Sequence, residues 1–492
     1  MKQFAIAIFG LAALLIASGC EVGPAYHRAA VDVPAQWSVQ PQAPFQAASP
    51  ADSLPKGEWW SIFSTPELND LEQQAAKANQ TLAAAQARLN QARAFARVQS
   101  AYLFPSSNVN PSVERQRVSA DRPTLGSPIA PKTDTEYTYT IPFNINYEVD
   151  LFGQNRRNLE SANAQLQASA ADLENVRLIM TSELAADYFS LRELDTEIAV
   201  VQQALEFQQK DYDLVVRREK GGVASGLDVS QQATVLDATR AQLDLLREQR
   251  HQYEHAIAVL VGQPAPTFHL SAHPLDTPPP AIPTGVPSEI LQRRPDVATA
   301  ERQMASANAQ VGVAKAAFYP MVSLFGNGGV LSNDITDLVS APSAIWALGG
   351  QLVQPLFNGG RNRANLASAK ANYDQTIANY RQDVLVAFQQ VEDALTNLNA
   401  LQASAASQER AVADAQTALT IANNRYVGGI TTYLDVVTAE ETLLSNQRLA
   451  TQIRGQQMVN TVYLAKALGG GWDANSLKGI EVRPQPGQII QP

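Results

Sequence analysis

Two stretches of the chain repeat apolar residues at every seventh position. In the first, Leu159, Leu166, Leu173 and Met180 fall in step, followed by Leu184, Leu191, Ile198, Leu205 and Tyr212. In the second, Val384, Val391 and Leu398 precede Val412, Leu419 and Tyr426. Such sustained spacing marks helices that meet along a coiled-coil-like seam. Ala, Gln, Asn and Ser fill most other positions, so much of each helix faces water. No proline interrupts either stretch: Pro142 is followed by Pro264, and Pro355 by Pro484. Each is broken once, at Gly221-Gly222 and at Gly428-Gly429. Glycine suits a left-handed helix end, so each stretch reads as a helical hairpin. The first arm, Arg156 to Lys220, has about 65 residues, or roughly 100 Å at 1.5 Å per residue.

The stretches are copies of one another. A shift of about 207 positions carries Asn158-Leu159 onto Asn365-Leu366, Arg218 onto Arg425, and Leu227-Asp228-Val229 onto Leu434-Asp435-Val436. A shift of about 215 carries Ala85, Ala92, Val98, Ala101 and Pro105 onto Ala300, Ala307, Val313, Ala316 and Pro320. Two long repeats indicate a duplication and not an array of short units. The Pro-rich stretch from Pro264 to Pro287 reads as a stiff, extended connector between them.

A second pattern precedes each hairpin. From Tyr137 to Val149, Tyr, Ile, Phe and Val alternate with polar residues. This suits a membrane-barrel strand with one face to lipid and one to a wet lumen, although a soluble antiparallel sheet also alternates. Val109, Pro111 and Val113 form a weaker partner before a loop from Ala120 to Thr135. The second copy offers strands at Met321 to Val330 and Ile345 to Phe357. Gly326, Gly328, Gly349 and Gly350 in these strands indicate bulges or close approach. Four strands cannot close a barrel and open edges are not tolerated in lipid, so spanning strands require several protomers.

The N-terminus adds an address. Met1-Lys2-Gln3, an apolar run from Phe4 to Ile16 and Ala17-Ser18-Gly19-Cys20 describe a secretory signal ending at a cysteine. Small residues directly before Cys resemble a bacterial lipoprotein signal, which makes Cys20 the acylated first residue of the mature chain. Cys20 is the single cysteine, so an intrachain disulfide or a cysteine-held metal is excluded. The net charge of −10 leaves no basic footprint for nucleic acid. No cofactor or metal site is expected. His251-Gln252-Tyr253-Glu254-His255 fits an H-x-x-E-H zinc-protease pattern. It lacks a third ligand, however, and the equivalent stretch from Met458 to Val462 does not carry it.

Taken together, the chain resembles the OprM/CusC/NodT group of TolC-like outer-membrane factors over nearly its whole length. The residues that carry the resemblance are the lipobox, Trp59-Trp60 with Phe63, Pro66, Leu68 and Leu71, and Asp150-Leu151-Phe152-Gly153. Leu291-Gln292-Arg293-Arg294-Pro295-Asp296 and Ala467-Leu468-Gly469-Gly470-Gly471-Trp472 complete the set. The implied fold is an α+β membrane protein with internal duplication: a long α-helical coiled-coil barrel plus four transmembrane β-strands per protomer. Three protomers are expected to form a twelve-stranded barrel. The expected divisions are a signal peptide at 1–19, a lipidated segment at 20–60, repeats at 61–270 and 288–472, a linker at 271–287 and a tail at 473–492.

The resemblance implies a homotrimer, anchored in outer-membrane lipid, that extends into the periplasm and exports drugs or other small organic compounds without covalent chemistry. A periplasmic adaptor (a membrane fusion protein) and an inner-membrane efflux pump are the implied partners. The expected adaptor-docking tips are Gly221, Gly222, Val223, Ala224, Ser225, Gly428, Gly429, Ile430, Thr431 and Thr432. The expected gate is Leu434 and Asp435 with Asp228 beside them, held closed by Arg218, Arg425 and Tyr426. Thr438 stands where relatives carry a further acidic residue. The competing reading is a lipid-anchored periplasmic coiled-coil scaffold or adaptor, which leaves the Tyr137–Val149 strand unexplained.

Overall fold

The structure, a computed structural model, describes residues 21–39, 57–117, 119, 135–280, 282 and 287–485. Cys20, most of the 120–135 loop and the end of the 473–492 tail lie outside the described residues.

The first repeat opens with a tight turn at Trp59–Phe63, then α1 (Pro66–Ala78) and α2 (Gln80–Ala101). Asn79 separates the two helices and caps the second, its Oδ1 accepting from the Leu82 N–H at 3.0 Å. Strands β1 (Ser106–Val109), β2 (Ser112–Arg117) and β3 (Thr135–Val149) follow, then the long α3 (Gln154–Lys220) and its return α4 (Gly226–Leu260). The second repeat has α5 (Pro287–Arg293), α6 (Pro295–Ala316), β4 (Met321–Ser332), β5 (Ala344–Val353), the long α7 (Arg361–Val427) and its return α8 (Tyr433–Ala467). Adding 207 to the bounds of α3 and α4 gives those of α7 and α8, with 67 and 35 residues in each pair.

The strands form one antiparallel sheet in the order β1, β3, β4, β5, with β2 also on β3. β1 and β2 share one register against β3 and act as a single strand interrupted at Pro111. Proline has no N–H to give the ladder. The expected Ile345–Phe357 strand is shorter than read: pairing ends at Val353, opposite Met321 and just before Pro355. Nor do the glycines make bulges, because the β4–β5 register is unbroken from Met321↔Val353 to Val330↔Ala344. They allow close approach instead: a Cβ on Gly349 would collide with the ring of Phe325, its cross-strand partner.

The core lies where the upper helices converge. Leu166, Leu184 and Leu191 of α3 meet Met304 of α6, Val384 and Val391 of α7 and Val462 of α8. All four leucine or methionine positions from Leu159 to Met180 are buried, whereas Leu205 and Tyr212 are only half-buried. The seam therefore loosens towards the hairpin tips within one chain.

The connector is strapped down. Arg192 donates to the Ser271 carbonyl at 2.7 Å, Asp195 accepts from the His273 N–H at 3.1 Å, and Thr196 Oγ1 from the Leu275 N–H at 2.8 Å. Glu254, the central acid of the H-x-x-E-H motif, accepts from the Leu270 N–H at 2.7 Å. Burial pushes its carboxyl up, but the Leu270 N–H, His251 and Arg250 outweigh that and hold it below the usual carboxylate range. Its observed role is to hold the connector.

Candidate gate and docking tips

Both hairpins turn by the same device. The helix runs into Gly221 and Gly428, and the following Gly222 and Gly429 take the left-handed conformation, φ 75° and 70°. The Val223 N–H then donates to the Arg218 carbonyl at 2.8 Å, and the Ile430 N–H to the Arg425 carbonyl at 2.9 Å. This satisfies carbonyls that the helix end would otherwise leave bare. Space around both glycines is open, so the backbone angle alone demands glycine there. Val223, Ile430 and Val427 stand exposed at the tips. Ala224 packs against the adjoining apolar cluster, and Ser225 caps α4.

The two expected gate acids sit at equivalent places with different bonds. Asp228 completes a capping box: its carboxylate accepts from the Ser225 N–H at 2.9 Å, and its own N–H donates to Ser225 Oγ at 3.2 Å. Asp435 accepts from the Thr431 hydroxyl, while Thr432 makes no side-chain cap. Each acid also lies in the first turn of its helix, where the positive end of the helix dipole favours a negative charge. Leu227 and Leu434 are both exposed beside them.

The basic and aromatic candidates divide. The Arg218 guanidinium lies over the Tyr426 ring, 4.7 Å from its centroid. Tyr426 in turn meets Tyr433 at 5.0 Å between ring centroids. The tips of the two hairpins are thus joined through a cation and two rings, next to an apolar cluster of Val215, Val235, Val436 and Val437. Arg425, the copy of Arg218, joins no ion pair among the described residues.

The seven-residue pattern passes over a buried polar layer just above this cluster. Tyr433 and Glu440 of α8, seven positions apart, are both buried and face Asp211 of α3 and Gln232 of α4. The Gln232 amide donates to the Gln208 carbonyl at 3.0 Å. Burial, then Asp211, push the Glu440 carboxyl well above the carboxylate range. An acid in step with Val436 and Leu443 was the available signal.

The other end of the helices places the N-terminus. Glu21 forms an ion pair with Arg157 at 3.2 Å, and the Val22 N–H donates to the Phe152 carbonyl at 3.2 Å. Residue 21 is therefore docked where β3 hands over to α3. Asp150 shapes that junction by accepting from the N–H groups of Asn155 and Arg156 at 3.1 and 2.9 Å. From there the chain descends along the second repeat. Arg28 donates to the Tyr380 hydroxyl at 2.9 Å, and the Ser38 N–H to Glu392 at 2.6 Å.

Comparison with known proteins agrees with this architecture. The sequence pattern of the Outer membrane efflux protein family matches residues 71–263 and 286–470. The pyoverdine export outer membrane protein OpmQ of Pseudomonas aeruginosa is 32% identical over 466 residues, 94% of this chain and 97% of that protein. The toluene efflux pump outer membrane protein TtgC of Pseudomonas putida is 32% identical over 460 residues, 93% and 94% of the two chains. Among solved structures, the outer-membrane channel OprN superposes with a TM-score of 0.83 at 30% identity, covering 92% of this chain and 100% of its own. The Campylobacter jejuni outer membrane channel CmeC superposes with a TM-score of 0.87 at 24% identity, over 92% of this chain and 96% of its own, which speaks to the fold alone. The chain thus belongs to the outer membrane efflux protein family, whose members are efflux channels and not enzymes, and it is an outer-membrane component of an efflux system.

Proposed function

We propose that three copies of this chain form a lipid-anchored, gated duct that carries small organic compounds across the outer membrane without chemical change. A periplasmic adaptor docks on the tips at Gly221–Ser225 and Gly428–Thr432, and an inner-membrane pump supplies the energy. The observation that carries this reading is the join between sheet and helices. A sheet with two open edges runs directly into two helices of 67 residues, so closing the sheet with neighbouring copies also closes the helices into a continuous tube.

Docking of Glu21 at the strand–helix junction supports acylation of Cys20, since Glu21 lies where strands give way to helices. Multiple acyl chains anchor stably where one binds marginally. The names of the relatives refer to compounds as different as pyoverdine and toluene. That range supports a duct whose selectivity lies mainly with its pump.

Leu434 and Asp435, with Asp228, form the gate in this reading, and Arg218, Arg425 and Tyr426 hold it closed. Single-channel conductance in planar bilayers tests both levels of the proposal. A small wild-type conductance that rises in the Asp228→Ala, Asp435→Ala double variant supports duct and gate together. A conductance unchanged by the double variant retains the duct and moves the gate. No conductance from well-reconstituted protein favours a lipid-tethered periplasmic scaffold.

A further inference from the structure

A groove of about 320 Å³ lies between α3 and the α7–α8 hairpin, beginning a few turns above the tips. Its wall mixes apolar side chains, Phe207 from α3, Leu419 from α7, and Leu443 and Leu444 from α8, with amide, hydroxyl and carboxyl side chains. Two of the polar side chains have a buried oxygen without a partner among the described residues. Gln208 is 2% exposed, and its Oε1 has no hydrogen-bond partner among the described residues. Glu440 is 9% exposed, and its Oε2 likewise has none, while the rest of its carboxyl group bonds with Asp211 and Gln232. Both line the groove, as does Asp211.

The charge around this pair is one-sided. Asp211 from α3, Gln232 from α4, and Tyr433 and Glu441 from α8 surround Glu440, and none of them is a cation. No Lys, Arg or His lines the groove. Lys210 rests 5.6 Å from the centroid of the Phe207 ring and forms no ion pair with either carboxyl among the described residues. Burial and the neighbouring Asp211 carboxyl favour the neutral form of Glu440, and a positive charge brought to the pair would relieve that. A buried acceptor without a donor is a further unmet demand. A cavity of this size with an apolar patch beside convergent polar groups has the form of a small-ligand site.

We infer that this groove binds an organic cation, a protonated amine on an apolar or aromatic body, with the ammonium set between Asp211 and Glu440 and donating to Gln208 Oε1. The ring of Phe207 adds a face that attracts cations, as its contact with Lys210 illustrates. The apolar patch of Phe207, Leu419, Leu443 and Leu444 beside the two carboxyls suits an ammonium with an apolar body better than a hard metal ion, which takes oxygen ligands all round. The site is separate from the Asp228 and Asp435 positions at the tips, and it rests on the duct reading only for the route by which the ligand arrives.

The test titrates ethidium, a planar organic cation, into the full chain reconstituted in lipid nanodiscs at pH 8 and follows fluorescence anisotropy, with an uncharged aromatic probe of similar size as control. Saturable binding of one ethidium per chain is expected, weakened about tenfold or more by Glu440→Gln and by Asp211→Asn and lost in Ala204→Trp, which fills the groove but keeps both carboxyls. Each preparation is also assayed for conductance, so a conducting variant is known to be folded and assembled. Ethidium binding that survives in a conducting Glu440→Gln, Asp211→Asn double variant, or equal binding of the uncharged probe, overturns the site. Wild-type protein that conducts but does not bind overturns the site and leaves the duct. Protein that binds but does not conduct overturns the duct and leaves the site.

Discussion

The Arg218 guanidinium at the end of α3 lies 4.7 Å from the centroid of the Tyr426 ring at the end of α7. The two residues come from different repeats and do not occupy equivalent positions in them, since the copy of Arg218 is Arg425. Although the tips are built alike, the tie between them runs one way only.

That tie has a measurable strength. A cation over an exposed ring is worth about 0.5–1 kcal/mol. Arg218→Ala and Tyr426→Ala are each expected to raise mean single-channel conductance or open probability by about two- to fivefold, the factor that this energy represents. The double variant should add little to either single one, because both remove the same cation–ring pair. Conductance equal to wild type in both single variants places the closing interaction elsewhere.

Two glycines of the same backbone class should respond differently to a methyl group. Gly429 has φ 70° with open space around it, so Gly429→Ala should cost about 1–2 kcal/mol, confined to the tip. Gly469 has φ 90°, and a Cβ there would collide with the Arg293 carbonyl. Gly469→Ala should therefore lower the thermal midpoint of the whole protein much more than Gly429→Ala. Equal melting temperatures for the two variants contradict this account.

Arg192 is the centre of the clamp on the connector. Its guanidinium reaches Glu67 at 2.5 Å, Asp195 at 2.7 Å and the Ser271 carbonyl at 2.7 Å, and it lies over the Tyr188 ring at 5.0 Å. Arg192→Met removes one of the two arginines on buried Asp195, which keeps Arg250, and the arginine of half-exposed Glu67, and should destabilise by about 1–3 kcal/mol. Faster protease cleavage between residues 264 and 280 is the expected sign, and unchanged cleavage removes the clamp from the account.

Glu72 supplies a pH prediction. It is fully buried, neither carboxyl oxygen has a partner among the described residues, and burial raises its pKa well above the ordinary 4.5. The native state therefore keeps a proton that the unfolded chain releases above about pH 4.5. Stability contributed by this site is full below that pH and falls as pH rises towards the native pKa. Glu72→Gln should raise the melting temperature at pH 7.5 and leave it unchanged near pH 4. An equal shift at both values contradicts the assignment.

The helices were legible because their signals are local. A seven-residue period and paired glycines bracket α3 to within two residues, and the shift of 207 read from Asn158 and Asn365 relates the observed helix ends as well. Of the proposed gate, the nearness of Arg218, Arg425 and Tyr426 to the tips was readable, but that Arg218 and not Arg425 lies over the Tyr426 ring emerges only in three dimensions. The individual caps of Asp228 and Asp435 depend on Ser225 and Thr431 and emerge only in three dimensions. Least legible were the polar groups that turn inward. Glu72, Glu254 and Glu440 look like surface residues in the sequence, because what buries them is a helix or connector far along the chain. The strand glycines left bulge and close approach open for the same reason: Gly349 answers to the Phe325 ring across the sheet and not to a bend in its own strand.

One consequence follows from the two unpaired edges of the sheet, the β1–β2 side and β5. A lone copy has no stable place within lipid, so in the proposed trimer insertion and assembly become a single event among three chains already gathered at the membrane surface. An altered copy that can join its neighbours but cannot complete the seam would then spoil every ring it enters. Intact channels would decline as the cube of the sound fraction, and such an allele would behave as dominant in a cell that carries both versions.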